Sequence, residues 1–384
     1  MKQACHLCGS KDVDEVVPNF DVRFVTSDAR PWPGRARLLV CNTCGTIQKA
    51  TDALWQREVE EVYLSYNIYQ QSGGAEQRSF HEKGLSQARS KVILQKLFES
   101  LKMPDAGRLL DLGCGNGSLL ASMQSVAPDW HLYGTEFDAK NRQRIEGLAG
   151  VRGFHAGDMR DLPWTSFDVI TLIHLIEHIP DPASFLRTAA TRLCSSGVIC
   201  IECPNIEANP FDLVIFDHCT HFTTATLETS CRNAGLQVMQ SASDWVAKEI
   251  SLVARQADCE ALAATLTRHG QAGLETLQTH LRWLAALASG AQRAAHMPGS
   301  FGIFGTSIAA AWCQHQTGGA ARFFVDEDPD RVGREFMGKP ILAVGSEPAD
   351  GNVLLCLPDA DAERVAARLN KNSRRYLRPA DVMS

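Results

Sequence analysis

From about residue 85 the chain alternates short continuous apolar runs with segments whose apolar residues recur at helical spacing. This alternation predicts a doubly wound α/β domain around a parallel sheet. The pattern predicts a helix over 91–101, strands over 108–112 and 131–136, a helix from about Ser118, and a third strand closing at Gly157-Asp158. A fourth strand over 167–174 and a fifth over 198–205 follow. Residues 256–296 place Leu262, Leu266, Leu277, Leu281 and Leu284 at helical spacing and read as a connecting helical hairpin that breaks between Gly270 and Gly273. After Met297-Pro298-Gly299 the pattern restarts as strand 301–305, a helix, strand 321–326, strand 353–358 and a helix over 361–369, a second and smaller α/β unit. Before residue 80 the chain reads as short strands and turns, with 28–34 as a loop. The expected units are therefore 1–80, 81–255, 256–296 and 297–384.

Composition narrows the class. At 384 residues, 45% apolar and 21% charged, the chain has room for two to three ordinary globular domains of about 150 residues each. Lys and Arg number 38 against 44 Asp and Glu, a net charge of -6 with the basic residues scattered, which argues against a nucleic-acid or anionic-membrane partner. The opening residues carry no apolar signal core, and no apolar run is long enough to cross a bilayer, so a cytoplasmic location is expected. Thirteen cysteines in such a chain point to reduced thiols and a metal site rather than a disulfide framework.

Four of the thiols are spaced for zinc. Cys5-His6-Leu7-Cys8-Gly9 and Cys41-Asn42-Thr43-Cys44-Gly45 are two Cys-x-x-Cys-Gly knuckles separated by 32 residues. Each is a tight turn able to aim two thiolates at one ion, and four thiolates make a closed, structural tetrahedral site with no open position for catalysis. His6 is read as a bystander.

The first α/β strand runs into Leu110-Asp111-Leu112-Gly113-Cys114-Gly115-Asn116-Gly117, whose glycines let a ligand approach the backbone at the carboxyl end of the sheet. This segment closely resembles the first motif of class I S-adenosylmethionine (SAM)-dependent methyltransferases, which implies SAM as cofactor. Glu136, 23 residues beyond Gly113, is placed to accept the ribose hydroxyls. Phe137 is placed under the adenine. By the resemblance Asp158, followed by Met159, contacts the adenine amino group. Asp111, Gly113, Gly115 and His174 complete the expected donor set.

His174, Glu177 and His178 spell an inverted metalloprotease pattern, but a strand end followed by Pro180 cannot hold both histidines on one long helix face. Methyltransferases commonly carry a Glu-His-Ile-Pro-Asp-like sequence here, over the transferred methyl, which makes His178 a catalytic candidate. Further on, Asp217-His218 and His221 place two histidines beside a carboxylate, an arrangement suited to an oriented base. Which of His178, His218 and His221 is the base is left open, as is the oligomeric state.

The whole layout resembles the three-part sugar C-methyltransferases of deoxysugar pathways, with a four-cysteine zinc domain, a methyltransferase core and a C-terminal Rossmann-like domain. The likeness rests on Cys41-Asn42-Thr43-Cys44-Gly45-Thr46-Ile47-Gln48, on Tyr63, Tyr66 and Tyr69, on Glu202-Cys203-Pro204, and on Val325-Asp326-Glu327-Asp328-Pro329. It implies carbon methylation of a nucleotide-linked ketosugar by a His-assisted base, an acceptor-side N-terminal domain, and acceptor contacts from Tyr66, Tyr69, Glu202 and Asn205. The sequence departs from the family's Tyr-His-Glu-His segment, carrying Ile215 and Phe216 before Asp217-His218 and His221 in place of the later Tyr. In the C-terminal turn Ile303-Phe304-Gly305-Thr306, Ala309 stands where the family has a Lys. Asp326, about 20 residues past that turn, is suited to binding sugar or nucleoside hydroxyls. Methylation of oxygen or nitrogen, and a zinc-stabilised binding protein without turnover, are the alternatives.

Overall fold

The computed structural model describes residues 3–80, 86–257, 270–369 and 375–383. Its centre is a seven-stranded sheet in the spatial order Val151–Ala156, His131–Glu136, Arg108–Leu112, Phe167–Ile173, Leu193–Pro204, Glu249–Gln256, Leu236–Ala242. The first five strands pair in parallel, and Glu249–Gln256 runs antiparallel to both neighbours. Leu109, Leu110, Val169, Ile170, Ile199 and Ile201 are fully buried, as expected of strands covered on both faces. The chain leaves Arg108–Leu112 outward in one direction and resumes at Phe167–Ile173 on the other side. This reversal opens a crevice at the carboxyl ends of those two strands, where such sheets bind ligands.

The N-terminal sheet is antiparallel, in the order Val13–Val16, Leu38–Cys41, Ile47–Lys49, Thr220–His221. Its last strand comes from the central unit, with His221 opposite Ile47 and Thr220 opposite Gln48. Within the segment read as a loop, Pro31–Trp32 pairs with Phe24–Val25 as a small hairpin, an element too short for any periodicity to show. The helix Ala53–Leu64 follows, capped by Asp52, whose side chain accepts from the amides of Leu54 and Trp55.

Residues 270–295 form one helix, Gly270–Ala295, burying Leu277, Leu281, Leu284 and Leu287; Leu262 and Leu266 lie outside the described residues. Gly270 and Gly273 belong to its first turn and do not break it. A Cβ at either would come within 2.0 Å of a carbonyl oxygen, that of Asn42 or of Gly45, so the bare backbone is what lets the helix dock on the second cysteine knuckle. The C-terminal sheet has six strands, in the order Glu335–Phe336, Lys339–Ala343, Phe323–Asp326, Phe301–Phe304, Asn352–Leu354, Arg375–Leu377, parallel except at the first edge. The fold is thus an α/β class I methyltransferase core sheet flanked by a four-cysteine N-terminal sheet and a C-terminal mixed α/β sheet. Among the described residues no helix is long and apolar enough to cross a membrane.

Candidate active site

At the crevice lies a cavity of about 890 Å³, within the range of about 300–1,000 Å³ usual for small-molecule sites. Its floor is the turn after Leu112, where Gly113, Gly115 and Gly117 have φ of 68°, 56° and 83°, a left-handed conformation that L side chains resist. Glu136 ends the neighbouring strand and accepts from the amide of Gly115 at 2.5 Å and of Phe137 at 3.0 Å. Burial raises its pKa, and the two amide bonds oppose that rise. Asp111 lies beneath the turn, bonded to Thr171 Oγ1 at 2.7 Å, with its pKa pushed up to about 7 by burial.

The opposite wall comes from the N-terminal unit. Residues 63–76 cross the cavity and supply Tyr63, Tyr66 and Tyr69. Lys140 holds this strap by donating to the carbonyls of Tyr63 and Leu64 at 3.1 Å each, and Asn116 donates to the Gly74 carbonyl at 2.8 Å. Arg89, which the sequence reading missed, lines the cavity beside Tyr69, reaching its hydroxyl at 3.3 Å while its own Nε has no partner.

His174, expected in the donor set, and His178 both line the cavity. His174 has φ of 51°, a strained conformation for a residue with a side chain and one that recurs where function constrains the backbone. Its Nδ1 meets Glu177 Oε1 at 3.2 Å, and burial drives its pKa down to about 3. His178 Nδ1 stands 3.0 Å from the Asp217 carbonyl and 3.0 Å from the Tyr63 hydroxyl. With the proton on Nδ1 the Asp217 carbonyl accepts it and Nε2 keeps a lone pair toward the cavity side of the ring; with the other tautomer the Tyr63 hydroxyl donates to Nδ1. Burial first, and then the neighbouring His218, lower the pKa of His178, which favours the free base.

The remaining candidates divide. His218 packs edge-on against His178 with ring centroids 4.6 Å apart, just behind the wall, and His221 lies deeper, fully buried. Asp217 is not their orienting carboxylate. It accepts from the Ser27 amide at 2.9 Å and hydroxyl at 2.5 Å. The orienting group is the buried Asp212, whose two oxygens meet His218 Nδ1 and His221 Nδ1 at 2.6 Å each. The turn Pro210–Val214 brings Asp212 back beneath both rings.

Of the expected donor residues, Met159 reaches the cavity and Phe137 stands 73% exposed at its mouth. Asp158 is exposed, tied to Arg160 at 2.5 Å, and does not line the cavity. Glu202 and Asn205 lie outside it too: Glu202 is buried against Ser251 Oγ at 2.5 Å with its other oxygen unpartnered, and Asn205 caps the Glu207 amide at 3.0 Å.

The cysteine knuckles converge as spaced. Cys5, Cys8, Cys41 and Cys44 bring their sulfurs within 4.8 Å of one another, with Cys5 to Cys44 at 3.5 Å and Cys8 to Cys41 at 3.6 Å. Bonds of about 2.3 Å in a tetrahedral thiolate site require sulfurs about 3.8 Å apart, so this donor set fits zinc.

Residues 85–241 match the family described as a methyltransferase domain. That match agrees with the sheet order and the glycine turn, which give the central unit an α/β class I methyltransferase core. The ubiquinone biosynthesis O-methyltransferase of Xanthomonas axonopodis pv. citri (strain 306) is 27% identical over 162 residues, covering 35% of this chain and 64% of that protein. The enzyme of the same name from Ralstonia nicotianae (strain ATCC BAA-1114 / GMI1000) is 30% identical over 121 residues, covering 29% and 50%. The chain thus spans about half to two thirds of the length of these curated relatives. Among solved structures, mitomycin 7-O-methyltransferase MmcR aligns at TM-score 0.38 and 19% identity over 44% of this chain and 54% of its own.

Proposed function

We propose that the chain transfers a methyl group from SAM to a small, sugar-like acceptor, a nucleotide-linked ketosugar, at a carbon beside its carbonyl. The observation that carries this is a single cavity shared by the glycine turn with Glu136 on one side and by His178, Tyr63 and Tyr66 on the other. The residues fit the donor: Gly113 and Gly115, both at positive φ, line the floor without side chains, and Glu136 offers a carboxylate for ribose hydroxyls. Asp111, Gly113, Gly115 and Glu136 would hold SAM. When bound, it supplies a methyl on a positively charged sulfur that leaves as a neutral thioether.

In this reading His178 Nε2 removes the proton next to the acceptor carbonyl, with the Nδ1 proton of the ring given to the Asp217 carbonyl. Tyr66 and Tyr69 face the acceptor, and His218 stands behind His178. The carbon preference is supported by the layout, with four cysteines, methyltransferase core and C-terminal α/β unit in the order of the sugar C-methyltransferases. The zinc site serves as a structural clamp. Methylation of an oxygen is the second reading, favoured by the names of the curated relatives.

Deuterium exchange separates the two. Incubated in heavy water with the enzyme and S-adenosylhomocysteine, a nucleotide-linked ketosugar acceptor should exchange the proton beside its carbonyl. Methyl transfer without exchange at that carbon would move the assignment to oxygen.

A further inference from the structure

Behind His178 runs a buried polar line that the methyl-transfer reading does not use. Lys49 is fully buried on the strand Ile47–Lys49. Its ammonium donates to the carbonyls of Ile215 at 2.6 Å and His218 at 2.7 Å and faces His221 Nε2 at 3.4 Å. Among the described residues no carboxylate lies within ion-pair distance of it. An ammonium has three donors and no acceptor. Two go to the carbonyls, so the third demands a lone pair on His221 Nε2. The proton of that ring then sits on Nδ1 and is given to Asp212 Oδ2, while the other oxygen of Asp212 takes the Nδ1 proton of His218.

We propose that Lys49 is a positioning residue that decides which of the two histidines on Asp212 can become charged, keeping His221 neutral so that the imidazolium forms on His218, beside His178. One carboxylate has three potential cations around it, and Lys49 occupies the place that would let His221 be the second. Nε2 of His218 has no partner among the described residues, so that ring is free to gain or lose a proton next to the base. The importance of this for catalysis rests on His178 being the base; the assignment of charge does not.

The groups facing each ring agree with the geometry. His221 faces Asp212, Lys49, His218 and His6; burial, with Lys49 and His218 adding to it, lowers its pKa to about 4 against the pull of Asp212. His218 faces Asp212, Glu177, Asp217 and His178; burial opposes its charging, but the Asp212 hydrogen bond and charge outweigh it and raise its pKa.

The test is nitrogen-15 NMR of histidine-labelled full-length protein between about pH 5 and 8, where imidazoles ordinarily titrate. In the unmodified protein His221 should stay in the neutral Nδ1–H form throughout, while His218 takes up a proton. In Lys49→Met the His221 midpoint should rise by at least about one pH unit and that of His218 should fall, since both then compete for Asp212. Two results would overturn the proposal: His221 protonated at about pH 6 in the unmodified protein, or midpoints unmoved in the variant. The first arm needs no substitution, so it stands even if Lys49→Met, which strips two buried carbonyls of their donor, folds poorly. Neither arm uses SAM. A separate failure to bind SAM would strike the methyltransferase reading and leave the charge assignment as measured.

Discussion

Glu136 ties the end of one strand to the turn that follows another, through the amides of Gly115 and Phe137, while its exposed edge faces the cavity. Glu136→Ala should weaken SAM binding by about 1–3 kcal/mol, the usual cost of losing hydrogen bonds to a charged group, as read by calorimetry. An unchanged affinity would remove Glu136 from the donor set. Glu202 has a different expected signature. Burial, with Glu249 adding to it, raises its pKa from 4.5 to about 8, so the folded protein holds a proton there that the unfolded chain releases. Between those values stability therefore falls as pH rises. Glu202→Gln should match the unmodified protein in Tm near its lower end and exceed it above about pH 8; a difference independent of pH would contradict the buried neutral acid. At this scale the sequence showed residue types and spacings, and the convergence of the four cysteines and the presence of Glu136 and His178 at one cavity were legible that way. Lys49 and Arg89 were not, because each reaches a partner that only the tertiary fold brings near, and Asp212, six and nine residues before His218 and His221, was not because the turn Pro210–Val214 that folds it back beneath them leaves no mark in the residue pattern.

The N-terminal antiparallel sheet is completed by a strand from the methyltransferase unit. Cys41 ends one of its strands, Cys44 lies just before the next, and Thr220–His221 pairs at its edge. The knuckles were readable because two Cys-x-x-Cys-Gly turns say what they do locally. The strand exchange was not readable, since a two-residue strand has no period to recognise. We expect about one zinc per chain by elemental analysis. Chelation should raise hydrogen exchange together in Leu38–Cys41, Ile47–Lys49 and Thr220–His221, because the ion holds the sheet that holds the last strand. Protection retained at Thr220–His221 while the cysteine strands open would show that the histidine segment is held from elsewhere.

Across the whole molecule the cavity lies between the central sheet and residues 63–76. Residues 63–76 lead from the N-terminal unit over the glycine turn, and the C-terminal unit braces them: Arg78 meets Asp330 at 3.1 Å, and the Arg334 guanidinium lies against Gly73. The strap lines the cavity beside the glycine turn, where Asn116 meets Gly74, and beside His178, where Tyr63 meets its ring, so loss of zinc should weaken the binding of SAM and of the acceptor together. In the central sheet the strand spans, the glycine turn and the parallel run were legible from hydrophobic patterning, because continuous apolar strands bounded by helices have few other solutions. In the C-terminal sheet the edge hairpin Glu335–Phe336 and Lys339–Ala343 and the last strand Arg375–Leu377 were not, being too short or too polar to stand out. The central claim is that this cavity holds SAM for methyl transfer. Calorimetric titration of the purified full-length chain with SAM and with S-adenosylhomocysteine tests it most directly: the account predicts one site for each, weakened in Glu136→Ala, and no measurable binding of either would contradict it.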